Sequence, residues 1–170
     1  MKKTTIVLAA DHAGFALKEA VKAFLSSTFF AEKYAVLDIG AHEFVDGDDY
    51  PVYMSAAGLK VAEDPTGSTK AIIFGKSGQG EAIVVNRFPG VRAVVWYGQA
   101  VGAAGGKGPA DSSDEIIKLS REHNNANVLS IGAGFVDEAA ATKAIELWLS
   151  TPFSDDPRHE RRNMEIDSIE

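Results

Sequence analysis

The segment with the clearest chemical potential is residues 75–81, Gly-Lys-Ser-Gly-Gln-Gly-Glu, which follows a short apolar run. Its three glycines allow backbone N–H groups to converge on a ligand, and the hydroxyl of Ser77 lies among them. Glu81 ends the segment and is followed by the apolar residues 82–85. Partial burial there would raise the pKa of its carboxyl group toward that of a useful general base. The alternative for Glu81 is a favourable interaction with the first turn of a helix.

Three known motifs nearly fit this segment, and each fails at a defined position. A Walker phosphate-binding loop needs a glycine five residues before its Gly-Lys pair, where Lys70 stands. The dinucleotide fingerprint Gly-x-Gly-x-x-Gly has a different spacing, and a nucleophile elbow needs glycine in place of Gln79. These failures disfavour a nucleotide-binding module and leave an amide-rich turn that ends in a carboxylate.

A second candidate is the sequence Asp11-His12-Ala13-Gly14, where a predicted strand ends and a helix begins. The N–H groups at the start of a helix, together with a nearby imidazole, form a site for an anion. The alternative, of equal weight, is that Asp11 only caps the helix.

Two further candidates lie in the C-terminal half. His123 precedes the pair Asn124-Asn125, a setting in which a histidine is more often a structural hydrogen-bonding group than a catalyst. Arg158 and Arg162 are four residues apart, so on a helix they share one face and suit a phosphate group, which arginine grips by paired hydrogen bonds. The alternative is a solvated basic patch that pairs with the neighbouring carboxylates.

The elements that must position these residues alternate between strand and helix. Apolar runs predict strands at residues 5–10, 34–39, 70–74, 91–97 and 127–131. Apolar residues at helical spacing predict helices at 17–25, 50–62, 82–85 and 136–149, and a last one that starts near Pro157. The strands are continuously apolar, which indicates burial on both faces and therefore a parallel sheet covered by helices. Ligands of such a sheet bind beyond the carboxyl ends of its strands.

Composition narrows the classes of function. The 170 residues suit one domain, and the net charge of −7 disfavours nucleic acid and anionic membranes as partners. The chain has no cysteine, which excludes a disulfide framework, a thiolate zinc site and a cysteine nucleophile. The apolar stretch at residues 6–10 is too short for a signal sequence or a membrane span, which favours a cytoplasmic location.

Six motifs occur together and in a fixed order: Asp11-His12-Ala13-Gly14, Asp49-Tyr50-Pro51, Ser77-Gly78-Gln79-Gly80-Glu81, Asn86-Arg87-Phe88-Pro89-Gly90-Val91-Arg92-Ala93, Arg121-Glu122-His123-Asn124-Asn125-Ala126-Asn127 and Arg158-His159-Glu160-Arg161-Arg162. From about residue 5 to 165, the chain closely resembles the ribose-5-phosphate isomerase type B family, which includes the galactose-6-phosphate isomerase subunits.

This resemblance implies a single α/β domain over residues 1–170, a Rossmann-like three-layer sandwich with a five-stranded parallel sheet. It implies an aldose–ketose isomerase without a metal or another cofactor, active as a homodimer or a dimer of dimers with shared active sites. The implied reaction interconverts a phosphorylated sugar, by default ribose 5-phosphate and ribulose 5-phosphate, through a cis-enediolate.

The resemblance also implies the role of each site residue. Many members use a cysteine base just before the glycine-rich loop, at the position of Gly75 here. A subgroup instead uses a glutamate at the far end of the loop, which Glu81 matches. The loop amides and the Ser77 hydroxyl would hold the developing oxyanion, and His123 would assist ring opening together with Asp11.

The implied substrate-binding residues come from both halves of the chain, and some would belong to the neighbouring subunit. His12, Arg158 and Arg162 would bind phosphate. The full set is Asp11, His12, Tyr50, Lys76, Ser77, Gly78, Gln79, Gly80, Asn124, Arg158 and Arg162.

Three departures from the family pattern concern the substrate. Lys76 stands where a glycine is usual, Gly134 replaces an arginine that follows the fifth strand, and residues 102–114 form a glycine-rich insertion that suits a surface loop or lid. Lys76 or Lys107 would compensate for the lost arginine.

These departures leave two alternatives open. One is an isomerase for another tetrose, pentose or hexose phosphate. The other is a non-catalytic subunit that binds a sugar phosphate, against which the retention of Glu81, Ser77 and His123 argues.

Overall fold

The structure is a computed structural model that describes residues 3–98 and 112–169. Within these residues the chain forms five strands and seven helices in this order: β1 (Thr4–Ala10), α1 (Phe15–Leu25), α2 (Thr28–Ala31), β2 (Tyr34–Gly40), α3 (Tyr50–Ala62), β3 (Thr69–Gly75), α4 (Gln79–Val85), β4 (Ala93–Trp96), α5 (Ser112–Glu122), β5 (Val128–Gly132), α6 (Glu138–Ser150) and α7 (Pro157–Asp167).

The five strands form one parallel sheet in the order β2-β1-β3-β5-β4. Alternate residues of β1 face opposite layers: Ile6 and Leu8 contact one apolar cluster, and Val7 and Ala9 contact the other. Continuous apolar strands are therefore buried on both faces, as the sequence pattern predicts. The α/β class, the three layers and the parallel sheet of five strands are confirmed.

Each face of the sheet is covered by its own helices. On one face, Trp148 of α6 is fully buried among side chains from α1, α5 and the strands. On the other face, Met54 of α3 and Val85 of α4 pack against β1, β3 and β5. Removing this apolar surface from water is the main stabilising contribution to the sandwich.

Several element boundaries differ from those predicted. The short helix α2 and the helix α5 were not predicted: α2 has only four residues, and α5 is polar, with Ile117 as its buried apolar residue. The strand predicted at 91–97 is shorter, because the backbone N–H of Arg92 donates to the side chain of Asn127 at 2.8 Å and pairing begins at Ala93.

The remaining differences are small, and one lies at the insertion. Helix α4 begins at residue 79 instead of 82, and α6 begins at 138 instead of 136. Of the predicted insertion at 102–114, residues 112–114 belong to α5, and the others, with Lys107, lie outside the described residues. Among the helices of residues 3–98 and 112–169, none has the length and apolar character that crossing a membrane requires.

The order of the strands brings two distant loops together. Strands β1 and β3 are neighbours, with Ala10 paired to Phe74 at their carboxyl ends. Gly14, which precedes α1, lies directly against β3, and a Cβ atom added there would stand 2.6 Å from backbone atoms of Phe74. The absence of a side chain at Gly14 therefore lets the loop after β1 approach the loop after β3.

This close approach predicts a large steric cost for Gly14→Ala. Gly14 has φ of −100°, which alanine adopts freely, so the cost would come from overlap with backbone that cannot rotate away. We expect a loss of about 3 kcal/mol in the free energy of unfolding, measured by denaturant titration. Gly47→Ala is the matched control: Gly47 has open space around it but φ of +75°, so we expect a loss of only about 1 kcal/mol. Equal losses would contradict the packing argument.

Candidate active site

A pocket of about 450 Å³ opens at the carboxyl ends of β1 and β3. Four segments line it: the loop after β1, the start of α3, the loop after β3, and α4. The lining residues are Asp11, His12, Ala13, Tyr50, Lys76, Ser77, Gln79, Gly80, Glu81 and Ile83. Eight of these are among the residues singled out from the sequence, and Gly78 lies between them as the N-cap of α4.

The carboxyl group of Glu81 lies at the buried end of this pocket, with the residue only 4% exposed. It occupies the space in front of Gly75: a Cβ atom added to Gly75 would overlap Glu81 Oε1 and lie 2.8 Å from its Cγ. Glu81 Oε2 has no hydrogen-bond partner among the described residues. One carboxylate oxygen is thus left free to accept a proton from a ligand.

Burial raises the pKa of the Glu81 carboxyl group, and the negative charge of Asp11 raises it further. The backbone N–H groups of Gly78 and of Glu81 itself oppose this shift because they stabilise the carboxylate. The net shift is upward. A carboxylate with a raised pKa is a stronger base than an exposed one.

The glycine-rich loop is held in place mainly by contacts of its backbone. Gly78 has φ of +74°, which favours glycine, and its carbonyl accepts a hydrogen bond of 2.6 Å from the buried hydroxyl of Ser130. The backbone N–H of Gln79 donates to the Ser77 hydroxyl at 3.3 Å. Gly80 lies under the Tyr50 hydroxyl, which a Cβ atom there would approach to 2.7 Å.

Asp11 both caps the turn before α1 and lines the pocket. Its Oδ1 accepts hydrogen bonds from the backbone N–H groups of Ala13 and Gly14, at 3.1 and 3.2 Å. These bonds fix the turn that leads into α1, which is a capping role. Asp11 is also only 6% exposed and lines the pocket, so its second oxygen remains available to a ligand.

His12 is held by a residue that the sequence patterns did not reveal. Asp48 Oδ1 accepts the backbone N–H of His12 at 2.8 Å and lies 2.7 Å from its ring Nδ1. This hydrogen bond is the largest cause of a raised pKa at His12; burial opposes the rise, and Asp11 adds to it. The cue in the sequence is the acidic run 46–49, in which nothing marks position 48 as the one that points inward.

The same three residues form the described group whose geometry suits a cation. Ligand atoms of Asp11, His12 and Asp48 lie within 4.8 Å of one another. However, the 2.7 Å separation of His12 Nδ1 and Asp48 Oδ1 is the length of a hydrogen bond, so a shared proton fills the space between them. The geometry favours a hydrogen-bonded pair over a pair of metal ligands.

Lys76 and Gly134 are neighbours at the rim of the pocket. The backbone N–H of Gly134 donates to the Lys76 carbonyl at 3.0 Å. A Cβ atom on Gly134 would lie 3.3 Å from Lys76 Cγ, so the lysine side chain extends across the place that a side chain at 134 would fill. The pocket therefore contains the cationic side chain of Lys76, next to a glycine at position 134.

Besides Gly78, four of the predicted residues are absent from the described lining of this pocket: His123, Asn124, Arg158 and Arg162. His123 and Asn124 lie just before β5, and therefore near the amino edge of the sheet, opposite the pocket. The ring of His123 stacks on that of His159 at 4.0 Å between centroids.

Helix α7 packs against this amino edge through two further contacts. Asn163 Nδ2 donates to the His123 carbonyl at 3.2 Å, and Arg92, which precedes β4, forms an ion pair of 2.7 Å with Asp167. The side chain of Arg158 is 62% exposed and lies 3.3 Å from Asp156. The histidine and the two arginines thus form a second group of polar residues, apart from Glu81 within one chain.

Comparison with known proteins places this architecture in a family. The sequence model of the family described as Ribose/Galactose Isomerase matches residues 6–104 and 110–166. Ribose-5-phosphate isomerase B of Mycolicibacterium paratuberculosis is 35% identical over 158 residues, covering 92% of this chain and 86% of that protein. The protein of the same name from Escherichia coli is 32% identical over 170 residues, covering 100% of this chain and 97% of the other.

Solved structures agree with the sequence comparison. Ribose-5-phosphate isomerase B from Mycoplasma genitalium with bound ribulose-5-phosphate has a TM-score of 0.78 and 26% identity, and the match covers 96% of this chain and 93% of that one. The type B enzyme of Trypanosoma brucei has a TM-score of 0.82 and 26% identity, with 99% and 100% covered. The chain therefore belongs to the ribose/galactose isomerase family.

Proposed function

We propose that this protein is an aldose–ketose isomerase that interconverts ribose 5-phosphate and ribulose 5-phosphate. The observation that carries the proposal is the buried carboxyl group of Glu81, which faces a pocket of suitable size at the end of an amide-rich loop. Relatives named ribose-5-phosphate isomerase B, and a relative solved with ribulose-5-phosphate, support this choice of substrate.

In this mechanism Glu81 is the base that carries one proton between two carbons. Its carboxylate removes the proton from C2 of the open-chain aldose, and the electron pair of that C–H bond forms the C1=C2 bond of a cis-enediolate, with negative charge on O1. The protonated carboxyl then returns the proton to C1, while the hydroxyl proton on O2 passes to O1. The products are a ketone at C2 and a hydroxymethyl group at C1, so atoms and charge balance.

The glycine-rich loop would stabilise the charge that develops on oxygen. Ser77, Gln79 and Gly80 line the pocket, and the hydrogen bond from Ser130 to the Gly78 carbonyl holds the loop before substrate binds. Preorganised donors of this kind lower the barrier because they need no rearrangement as the charge forms.

We further propose that two copies of the chain complete each site. Ring opening would use Asp11 from one copy and His123 from the other, because these residues lie at opposite edges of the sheet within one chain. Asn124, Arg158 and Arg162 would enter the pocket with that histidine and contact the sugar and its phosphate. Their exposure leaves them accessible to a second copy, and a symmetric dimer would form two identical sites.

The phosphate group would meet cations from both copies. His12 and Lys76 belong to the pocket itself, and the two arginines of α7 would approach from the partner. Lys76 would supply the charge that Gly134 lacks, because its side chain crosses the space beside that glycine. A cytoplasmic location is part of the same proposal, since a phosphorylated sugar is an anion that does not cross a membrane unaided.

Replacement of Glu81 by glutamine tests the base directly. Glu81→Gln keeps the size of the side chain but cannot accept the C2 proton, so we expect kcat for ribose 5-phosphate to fall about 10³-fold, with KM little changed. The exposed Glu146→Gln is the matched control and should keep full activity. A coupled assay for ribulose 5-phosphate measures both. Survival of turnover in Glu81→Gln would exclude this base.

A methyl group at position 75 should displace the same carboxylate. Because the Cβ of Gly75→Ala would overlap Glu81 Oε1, we expect kcat to fall about 10²-fold through misplacement of the base. Since both changes act on one group, the double variant with Glu81→Gln should be no slower than Glu81→Gln alone. Independent, multiplying losses would show that Gly75 acts through something other than Glu81.

Mixing two inactive variants tests whether the sites are shared. Glu81→Gln and His123→Ala damage opposite halves of the proposed site, so a dimer with one copy of each has one intact site and one site that lacks both groups. After unfolding and refolding an equal mixture, half of the dimers are mixed, and we expect about a quarter of the wild-type activity. Activity no higher than that of the separate variants would indicate that both residues act within one chain.

A further inference from the structure

Within residues 42–49, between β2 and α3, Asp48 is the residue whose side chain points inward, behind His12. Residues 42–47 and 49 are exposed, whereas the side chain of Asp48 is only 9% exposed. Asp48 is 36 residues from His12 in sequence, and its Oδ1 contacts both the backbone N–H and the ring Nδ1 of that histidine, at 2.8 and 2.7 Å.

From these contacts we propose that Asp48 is a positioning residue, which orients His12 so that its ring presents Nε2–H to the anionic end of the substrate. This inference rests on the proposed function for the identity of that substrate. Asp48 itself is outside the lining of the pocket, so it acts through His12 and does not touch the ligand.

The two hydrogen bonds between Asp48 and His12 fix the orientation of the imidazole ring and determine which ring nitrogen carries the proton toward Asp48. One carboxylate oxygen that binds a backbone N–H and the ring of the same residue leaves the side chain little freedom to rotate. Because Nδ1 must donate to Asp48, Nε2 is the ring nitrogen left for a ligand. The edge-to-face contact with Phe44, with 6.3 Å between ring centroids, supports the ring from another side. His12 therefore meets a ligand in one defined orientation.

The charges around His12 favour the imidazolium form. Carboxylates approach it from two loops, with Asp11 at 4.0 Å after β1 and with Asp46 and Asp48 before α3. The pocket adds Lys76 from the loop after β3 and Glu81 from α4. The hydrogen bond to Asp48 has the largest effect and raises the pKa of His12, although burial lowers it.

Asp48 is kept ionised by its own neighbours. Burial acts to raise the pKa of its carboxyl group, but the hydrogen bonds that it accepts from the backbone N–H and the ring of His12 act in the opposite direction, and the net shift is downward. The contact therefore favours a carboxylate paired with an imidazolium, with the cation on the side of the ligand.

The test removes the charge of Asp48 and keeps its shape. Asp48→Asn retains an oxygen that accepts the backbone N–H and the Nδ1–H of His12, so the fold should survive, which thermal unfolding checks. The titration of His12 is followed by NMR of the ring protons, with the signal identified by its loss in His12→Gln. We expect His12 to titrate at lower pH in Asp48→Asn than in the wild type.

The pH dependence of KM provides a second readout with a defined sign. A phosphate monoester becomes a dianion above about pH 6, and His12 stays cationic below its raised pKa, so KM is lowest between these limits and rises above the upper one. In Asp48→Asn the upper limit moves to lower pH. At pH 7.5 we expect KM for ribose 5-phosphate to rise about tenfold, with kcat within twofold of wild type.

Asp46→Asn is the matched control, because it removes a charge from the same loop without removing the hydrogen bond to His12. It should shift the titration of His12 and the KM profile much less than Asp48→Asn does. A loss of stability alone would not change the pH at which KM rises. The pH profile of KM therefore distinguishes the positioning of His12 by Asp48 from a purely structural role of Asp48.

The outcomes distinguish this inference from the proposed function. A lower titration of His12 in Asp48→Asn, together with weaker binding of inorganic phosphate in the same NMR experiment, supports the inference even if the protein does not isomerise ribose 5-phosphate. An unchanged titration, or an equal shift in Asp46→Asn, overturns the inference even if the wild-type enzyme is fully active.

Discussion

The carboxyl group of Glu81 is buried in space that any side chain at position 75 would fill. This constraint reaches beyond one residue, because Gly75 ends β3 and pairs with Gly132 at the end of β5. A Cβ atom on Gly132 would lie 3.0 Å from the Ser77 carbonyl. Two paired glycines thus allow the loop to fold back over the strand ends and bring its last residue, Glu81, to the floor of the pocket.

Much of the fold could be predicted because the strands are buried on both faces. Runs such as β1 and β5 are apolar without interruption, and short runs of this kind between helical segments are typical of a parallel sheet covered by helices. Helix α5 was not predicted because it is polar and buries chiefly Ile117. The start of β4 was not predicted because it depends on the hydrogen bond from Arg92 to Asn127, which is 35 residues away in sequence.

The proximity of most pocket residues could be predicted because they lie in the loops after β1 and β3, and the carboxyl ends of parallel strands meet at one edge of the sheet. The contact of Asp48 with His12 could not be predicted, because every carboxylate of the run 46–49 looks solvated in the sequence. Only the folded chain shows which of them reaches His12. The place of His123 was equally hidden. The local sequence shows only that His123 precedes β5. Its distance from Glu81 follows from the direction of the strands, so the two side chains could meet only if a second copy of the chain supplied one of them.

The pKa values of two titratable groups of the pocket, Glu81 and His12, are shifted in the same direction for different reasons. Burial raises the pKa of Glu81, and a hydrogen bond to a carboxylate raises that of His12. In the proposed roles, Glu81 must be ionised to act as a base, so it would work above its raised pKa, whereas His12 must be protonated to bind phosphate, so it would work below its own. The first shift makes the carboxylate a stronger base, and the second extends to higher pH the range in which the imidazole is charged. The negative charge of Asp11 contributes to both shifts, so this one carboxylate adjusts the base and the binding group together.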